Sequence, residues 1–270
     1  PGFDAPGPIA DVGAVYLYRP NGTLISTLRG STAGDQVGGS GVTALDNGNY
    51  VVRSPNWHSG AIVAAGAVTF GSGVSGVSGV VSAANSLVGS TANDLVGSSG
   101  VIALNNRSYV VRSLSWDNGA IVSAGAVTFG SGVSGISGVV SPTNSLVGST
   151  SGDSVGGSGV IALSNGNYVV VSAGWDNSTI ANAGAATFGS GASGIVGVVS
   201  PTNSLVGSTA NDQVGGAGVT ALSNGNYVVR NPSWDNGATV DAGAVTFGSG
   251  SSGVSGVVSP TNSLVGSTLN

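Results

Sequence analysis

Four tryptophans stand 59 residues apart, at Trp57, Trp116, Trp175 and Trp234. Tyr50, Tyr109, Tyr168 and Tyr227 keep that interval, as do Phe70, Phe129, Phe188 and Phe247, and Asp35, Asp94, Asp153 and Asp212. No insertion or deletion interrupts the period, so whole units run 35–93, 94–152, 153–211 and 212–270, after a leading stretch at 1–34. A fixed period of this kind marks a repeat architecture in which each copy leans on its neighbours. A 59-residue unit has little core of its own, so its cohesion is expected to come from contact with adjacent copies.

The leading stretch belongs to the same pattern. GAVYLYRPNGTLISTLRGSTAGD matches the second half of a unit, from GAVTFGSG to LVGSTAND, with a loop six residues shorter. Gly13-Ala14-Val15 corresponds to Gly66-Ala67-Val68, and Leu28 through Thr32 to Leu87 through Thr91. The array therefore opens on strands three and four of a unit.

Composition decides what the units are made of. Glu, Lys and Met are absent and Gln occurs twice, which removes most of the good helix formers. Gly fills 49 positions, about 18% against a usual ~7%, without the three-residue period of collagen. Apolar residues make up 40% and charged residues only 6%, the reverse of the disordered signature. An all-β fold follows. Within the first unit the β-prone runs are GVTAL, NYVVRS, GAVTFG and GVVSAANSLVGS, separated by turn residues. Asn47-Gly48 predicts a tight type I′ hairpin with positive φ at both positions, and Asn106-Arg107 of the second unit departs from that rule. Pro20-Asn21-Gly22 predicts a further hairpin. Four antiparallel strands per unit fit a β-propeller-like array of four-stranded blades, with a β-solenoid as the alternative. Hairpin reversals at a fixed phase favour the propeller.

The order of the pieces, GDQVGGSGVTAL, then NGNYVVRSP, then a loop and DAGAVTFGSG, resembles the FG-GAP repeat of integrin-type β-propellers. Val37-Gly38 stands where that family has Phe-Gly, Arg53-Ser54-Pro55 lies near its Gly-Ala-Pro, and Gly13-Ala14-Val15-Tyr16-Leu17-Tyr18 is similar to its third strand. The wording GNYVV, WDNGA, AGAVTFGSG and NSLVGSTANDQVG is also similar to repeat arrays in bacterial secreted surface proteins of the filamentous-haemagglutinin type. That resemblance implies an extracellular or cell-surface location and an adhesive or structural role. Calcium-binding FG-GAP members carry several carboxylates between the first and second strands, as a hard cation requires. The loops here, LDNGNY, LNNRSY, LSNGNY and LSNGNY, hold at most one each, so neither calcium nor another cofactor is expected.

Few groups could perform chemistry. The chain has one His, no Cys, no Lys and no Glu, so no disulfide scaffold or thiol chemistry is possible and an enzyme is not expected. His58 occupies the place of Asp117, Asp176 and Asp235, which reads as a variant loop position. The Trp-Asp-Asn loops are the candidate ligand site: Trp116-Asp117-Asn118, Trp175-Asp176-Asn177 and Trp234-Asp235-Asn236, with Trp57 in the degenerate copy. An exposed indole stacks on a sugar face while Asp and Asn bind hydroxyls, and repetition adds multivalency. Against this stands a purely structural reading, with Trp as packing between blades and Asp-Asn-Gly as turn chemistry. Asp35, Asp94, Asp153 and Asp212 read as Asx-type turns between units. An ion pair between the loop Asp and Arg53, Arg112 or Arg230 is not required, because the third unit keeps Asp176 with Val171 in the Arg position.

A net charge of -5 without a basic stripe argues against nucleic acid, and no apolar run is long enough to span a bilayer as a helix. The stretch PGFDAPGPIADVG shows no signal-peptide pattern. The expected role is a non-enzymatic extracellular structural or adhesive protein, with a multivalent carbohydrate-binding propeller as the alternative. The half unit leaves strand edges unpaired, and self-association into oligomers or filaments is expected there.

Overall fold

The computed structural model describes residues 9–268, all strand, turn and loop, with no helix among them. The reading of the amino-terminal stretch as free of a signal peptide rests largely on residues 1–8, outside the described residues. The half unit forms β1 (Ala14–Tyr18) and β2 (Leu24–Arg29). The first whole unit forms β3 (Val42–Ala44), β4 (Tyr50–Ser54), β5 (Ala67–Gly71), β6 (Gly79–Val80) and β7 (Ser86–Val88). The second repeats these as β8 (Val101–Ala103), β9 (Tyr109–Ser113), β10 (Ala126–Gly130), β11 (Gly138–Val139) and β12 (Ser145–Val147). The third gives β13 (Gly159–Ala162), β14 (Tyr168–Ser172), β15 (Ala185–Gly189), β16 (Gly197–Val198) and β17 (Ser204–Val206). The fourth gives β18 (Val219–Ala221), β19 (Tyr227–Asn231), β20 (Ala244–Gly248), β21 (Gly256–Val257) and β22 (Ser263–Val265).

Each unit builds one antiparallel sheet, in the order β3-β4-β5-β7 for the first. The fourth β-prone run is not one strand. It splits, and its first piece crosses to the preceding sheet: β6 pairs in parallel with β2, β11 with β7, β16 with β12 and β21 with β17. The turn that follows causes the split. The Asn85 side-chain oxygen accepts from the Ser82 amide at 3.0 Å, and its amide donates to the Val80 carbonyl at 3.0 Å, which reverses the chain into β7. Every junction between units is thereby stitched by a Gly-Val segment.

The sheets pack face to face, and the strand alternation supplies both faces. Val51, Val68 and Leu87 point toward the following unit, where they meet Val96, Val111, Ala126, Val140 and Trp116. Val52, Ala67 and Val88 point the other way, onto Leu28 and Val15 of the half unit. Consecutive valines therefore serve opposite cores, the pattern of a sheet covered on both sides. Inside each sheet a Tyr lies across a Gly: Tyr50 pairs with Gly71, and a Cβ added at Gly71 would come within 2.2 Å of the ring. Tyr109, Tyr168 and Tyr227 lie over Gly130, Gly189 and Gly248 in the same manner. The glycine ending the AGAVTFG strand is thus demanded by an aromatic ring one strand away.

The hairpin between the first two strands differs from the type I′ expectation. Only Gly48 takes a positive φ, at 84°, while Gly48 N–H donates to the Leu45 carbonyl at 2.9 Å and Leu45 N–H to Asn49 at 2.8 Å. This is a three-residue loop, a turn followed by one left-handed residue, which Gly fills without a Cβ penalty. In the second unit that position is Arg107, at φ 74°. An L-residue there costs about 1–2 kcal/mol, and nothing in the structure recovers it because the side chain is exposed. Arg107→Gly is expected to raise stability by about 1 kcal/mol, part of the gain being lost to the freer unfolded chain. Urea denaturation checks this, and an unchanged or lowered midpoint would contradict it.

Candidate functional site

The four Trp loops lie where the second strand of a unit leaves its sheet, and the indoles point inward. Trp57, Trp116, Trp175 and Trp234 are 2–5% exposed and belong to the cores between units. The expected stacking of an exposed indole on a sugar is therefore not available. The Trp ring fills the gap between sheets, and its apolar area is worth more there than in water.

The Asp and Asn of the loop serve backbone groups. Asp117 accepts from the Ser123 amide at 2.8 Å, Asp176 from Asn182 at 2.7 Å and Asp235 from Asp241 at 2.9 Å. Ser123, Asn182 and Asp241 each sit at φ 50°, so the carboxylate holds a left-handed turn in place. The amide of Asn118 donates to the Gly148 carbonyl at 3.0 Å, with Asn177 on Gly207 and Asn236 on Gly266 in the same way. Asp117, Asp176 and Asp235 remain half-buried, and Asp117 borders a concavity shared with Asn93 and Ser123.

A second set of carboxylates is more deeply placed. Asp35, Asp94, Asp153 and Asp212 are fully or almost fully buried, each between the end of one unit and the Trp loop of the next. One oxygen of Asp94 accepts from the Ser90 and Thr91 amides at 2.8 Å, and the other accepts from the Asp117 amide at 3.0 Å. Asp35, Asp153 and Asp212 repeat the arrangement. A side chain that gathers three backbone donors from two segments is a clasp between repeats. The turn role expected from sequence is present, but it reaches into the Trp loop 23 residues on, which spacing alone did not reveal. His58 joins the clasp of the first unit, with its Nδ1 3.2 Å from Asp35.

The arginines use carbonyls. Arg112 donates to Ser99 of its own unit and to Gly156 and Gly157 of the next, while Arg53 donates to Ser40 and Arg230 to Ala217. Buried hydroxyls pair across strands, Thr69 with Ser86 at 2.7 Å and likewise in the other units. The Tyr109 hydroxyl approaches the Ile136 backbone without reaching full hydrogen-bond geometry, and burial pushes its pKa up. Burial pushes Tyr227 up to about 12. Among the described residues no three His, Cys, Asp or Glu side chains gather as metal ligands, and no helix is long and apolar enough to cross a membrane.

The model of a family described as a repeat of unknown function (DUF5650) matches residues 44–98, 103–157, 162–216 and 221–270, in the register of the 59-residue period. The matches cover most of the chain, and it belongs to that family. No curated protein matches it.

The clasp has a pH signature. Burial outweighs the three backbone donors at Asp94 and Asp153, with the neighbouring loop carboxylate adding to it, and raises both pKa values above the ordinary 3.8. A raised folded pKa means that the folded state keeps a proton the unfolded chain has released. The stability these two groups contribute is therefore full below 3.8 and declines as pH rises from 3.8 through their folded pKa values. Carboxyl-carbon NMR titration is expected to place both midpoints above 3.8, and midpoints at or below that value would contradict this.

Proposed function

We propose that this chain, a member of that repeat family, is a non-enzymatic structural or adhesive protein of the extracellular space or cell surface. Its sheets act as blades of a propeller-like array. The observation that carries this reading is the use of the recurring polar side chains. The buried Asp, the Trp-loop Asp and Asn, and the Arg all bind backbone groups that hold a unit together or to its neighbour. Such residues build a rigid body and leave little for converging on a substrate. The outer surface repeats as well, with exposed Val63, Val122 and Val240 at one phase and Val74 and Val133 at another. A weakly charged surface with apolar points at regular intervals suits adhesion through many weak contacts. The blade arrangement is supported by the approach of β3 to β8, β8 to β13 and β13 to β18, which brings the first strands of successive units side by side. The cell-surface location rests on the likeness to secreted surface arrays.

Multivalent carbohydrate binding is the second reading, favoured by the half-exposed Asp117 beside a concavity of about 360 Å³. Glycan-array binding, a hydrolase substrate panel and adhesion of chain-coated beads separate the possibilities. The expected result is adhesion without glycan-selective retention or turnover. Selective retention lost in Asp117→Ala would favour the carbohydrate reading, and turnover would overturn both.

A further inference from the structure

At each junction between repeats the segment Asp-x-Val-Gly enters a socket on the unit before it. Val37 N–H donates to the Val12 carbonyl, Val96 to Ala65, Val155 to Ala124 and Val214 to Ala183, all at 3.0–3.1 Å. The preceding residue pairs likewise, Gln36 with Asp11, Leu95 with Ala64, Ser154 with Ser123 and Gln213 with Asn182. The Asp of the segment then takes the amides of the Ser-Thr pair, such as Ser208 and Thr209 for Asp212. The entering valines are wholly buried. Four sockets are built alike and filled alike.

The fourth whole unit presents the fifth. The carbonyls of Asp241 and Ala242 and the amides of Ser267 and Thr268 occupy the same places, and none has a hydrogen-bond partner among the described residues. The apolar floor is open too: Leu264 is 81% exposed, whereas Leu87, Leu146 and Leu205 are 0% exposed. Ala242, Gly243, Val245 and Leu264 line a concavity of about 480 Å³. The opposite end of the array differs. Arg29 stands there in the place of Val88, with Tyr16 and Tyr18 in the places of Thr69 and Gly71. Polar substitution of an outer face is the mark of a capping repeat, and the carboxyl-terminal face lacks it.

We propose that the socket formed by Asp241–Val245 and Gly266–Thr268 is a peptide-binding site for the Asp-x-Val-Gly tongue of a repeat of this family carried by another chain. The ligand adds as an extended segment: its Asp meets the Ser267 and Thr268 amides, its backbone amides meet the Asp241 and Ala242 carbonyls, and its Val covers Val245. A second copy docking by its own amino-terminal face is a poorer occupant, because Arg29 would be buried against Leu264 without a partner. The site is independent of the adhesive reading, since it rests on the four filled sockets alone.

The test uses the full chain and a synthetic peptide carrying residues 211–218, Asn-Asp-Gln-Val-Gly-Gly-Ala-Gly. Amide NMR titration into the millimolar range is expected to shift signals confined to Asp241–Val245 and Gly266–Thr268. The peptide with Ala for Asp should bind at least about ten-fold more weakly, for want of its charge-assisted bonds. Val245→Arg, at an exposed position, should abolish the shifts while leaving the remaining spectrum intact. Absence of shifts at the socket, shifts spread elsewhere, or equal binding of the Ala peptide would each overturn the proposal. So would a dimer in sedimentation that the peptide fails to dissociate, since the face would then belong to a second copy.

Discussion

The structure depends on sheets whose two faces are both apolar. Val51 and Val52 are neighbours in one strand and both are fully buried, yet they lie in different cores, one shared with the following unit and one with the preceding unit. A sheet of this kind cannot leave either face to water without losing about 25 cal/mol for each Å² of apolar area. Packing against a copy of itself covers both faces at once, and the uninterrupted 59-residue period keeps every contact in register. The Trp ring, the Gly-Val stitch and the Asp clasp then fix the angle and distance between sheets.

Polar groups within this packing are few and almost all are matched. The clasp takes a carboxylate out of water, which by itself is costly, and three backbone donors offset that cost. The four indole N–H groups are exceptions, being buried without a partner. Placing them there costs on the order of 1–3 kcal/mol each, which the burial of the large ring outweighs. Trp is used for its bulk, at the one point where Gly-rich loops leave space between sheets.

Much of the architecture was legible in the sequence. The period, the all-β character, the half unit at Gly13 and the turn role of Asp35 and its equivalents follow from spacing and residue type. Other features were hidden for physical reasons. Gly79-Val80 is too short to announce itself as a strand, and only the Asn85 turn shows that it belongs to the preceding sheet. The orientation of the Trp ring is a tertiary fact, since Trp-Asp-Asn-Gly reads equally as an exposed turn or a packed one. Asn47-Gly48 suggested the wrong hairpin because the loop holds three residues, of which Gly48 alone is left-handed. The pairing of Tyr50 with Gly71 could have been inferred from the invariance of both at one interval, given the register between their strands.

The central claim is that no repeat is stable without its neighbours. A truncation series followed by thermal and urea unfolding tests it most directly, comparing residues 94–152 alone with 1–152, 1–211 and 1–270. The account predicts no cooperative transition for the single unit and a midpoint that climbs with each added repeat, as nearest-neighbour coupling requires. A sharp transition for residues 94–152 alone, at the midpoint of the whole chain, would contradict it.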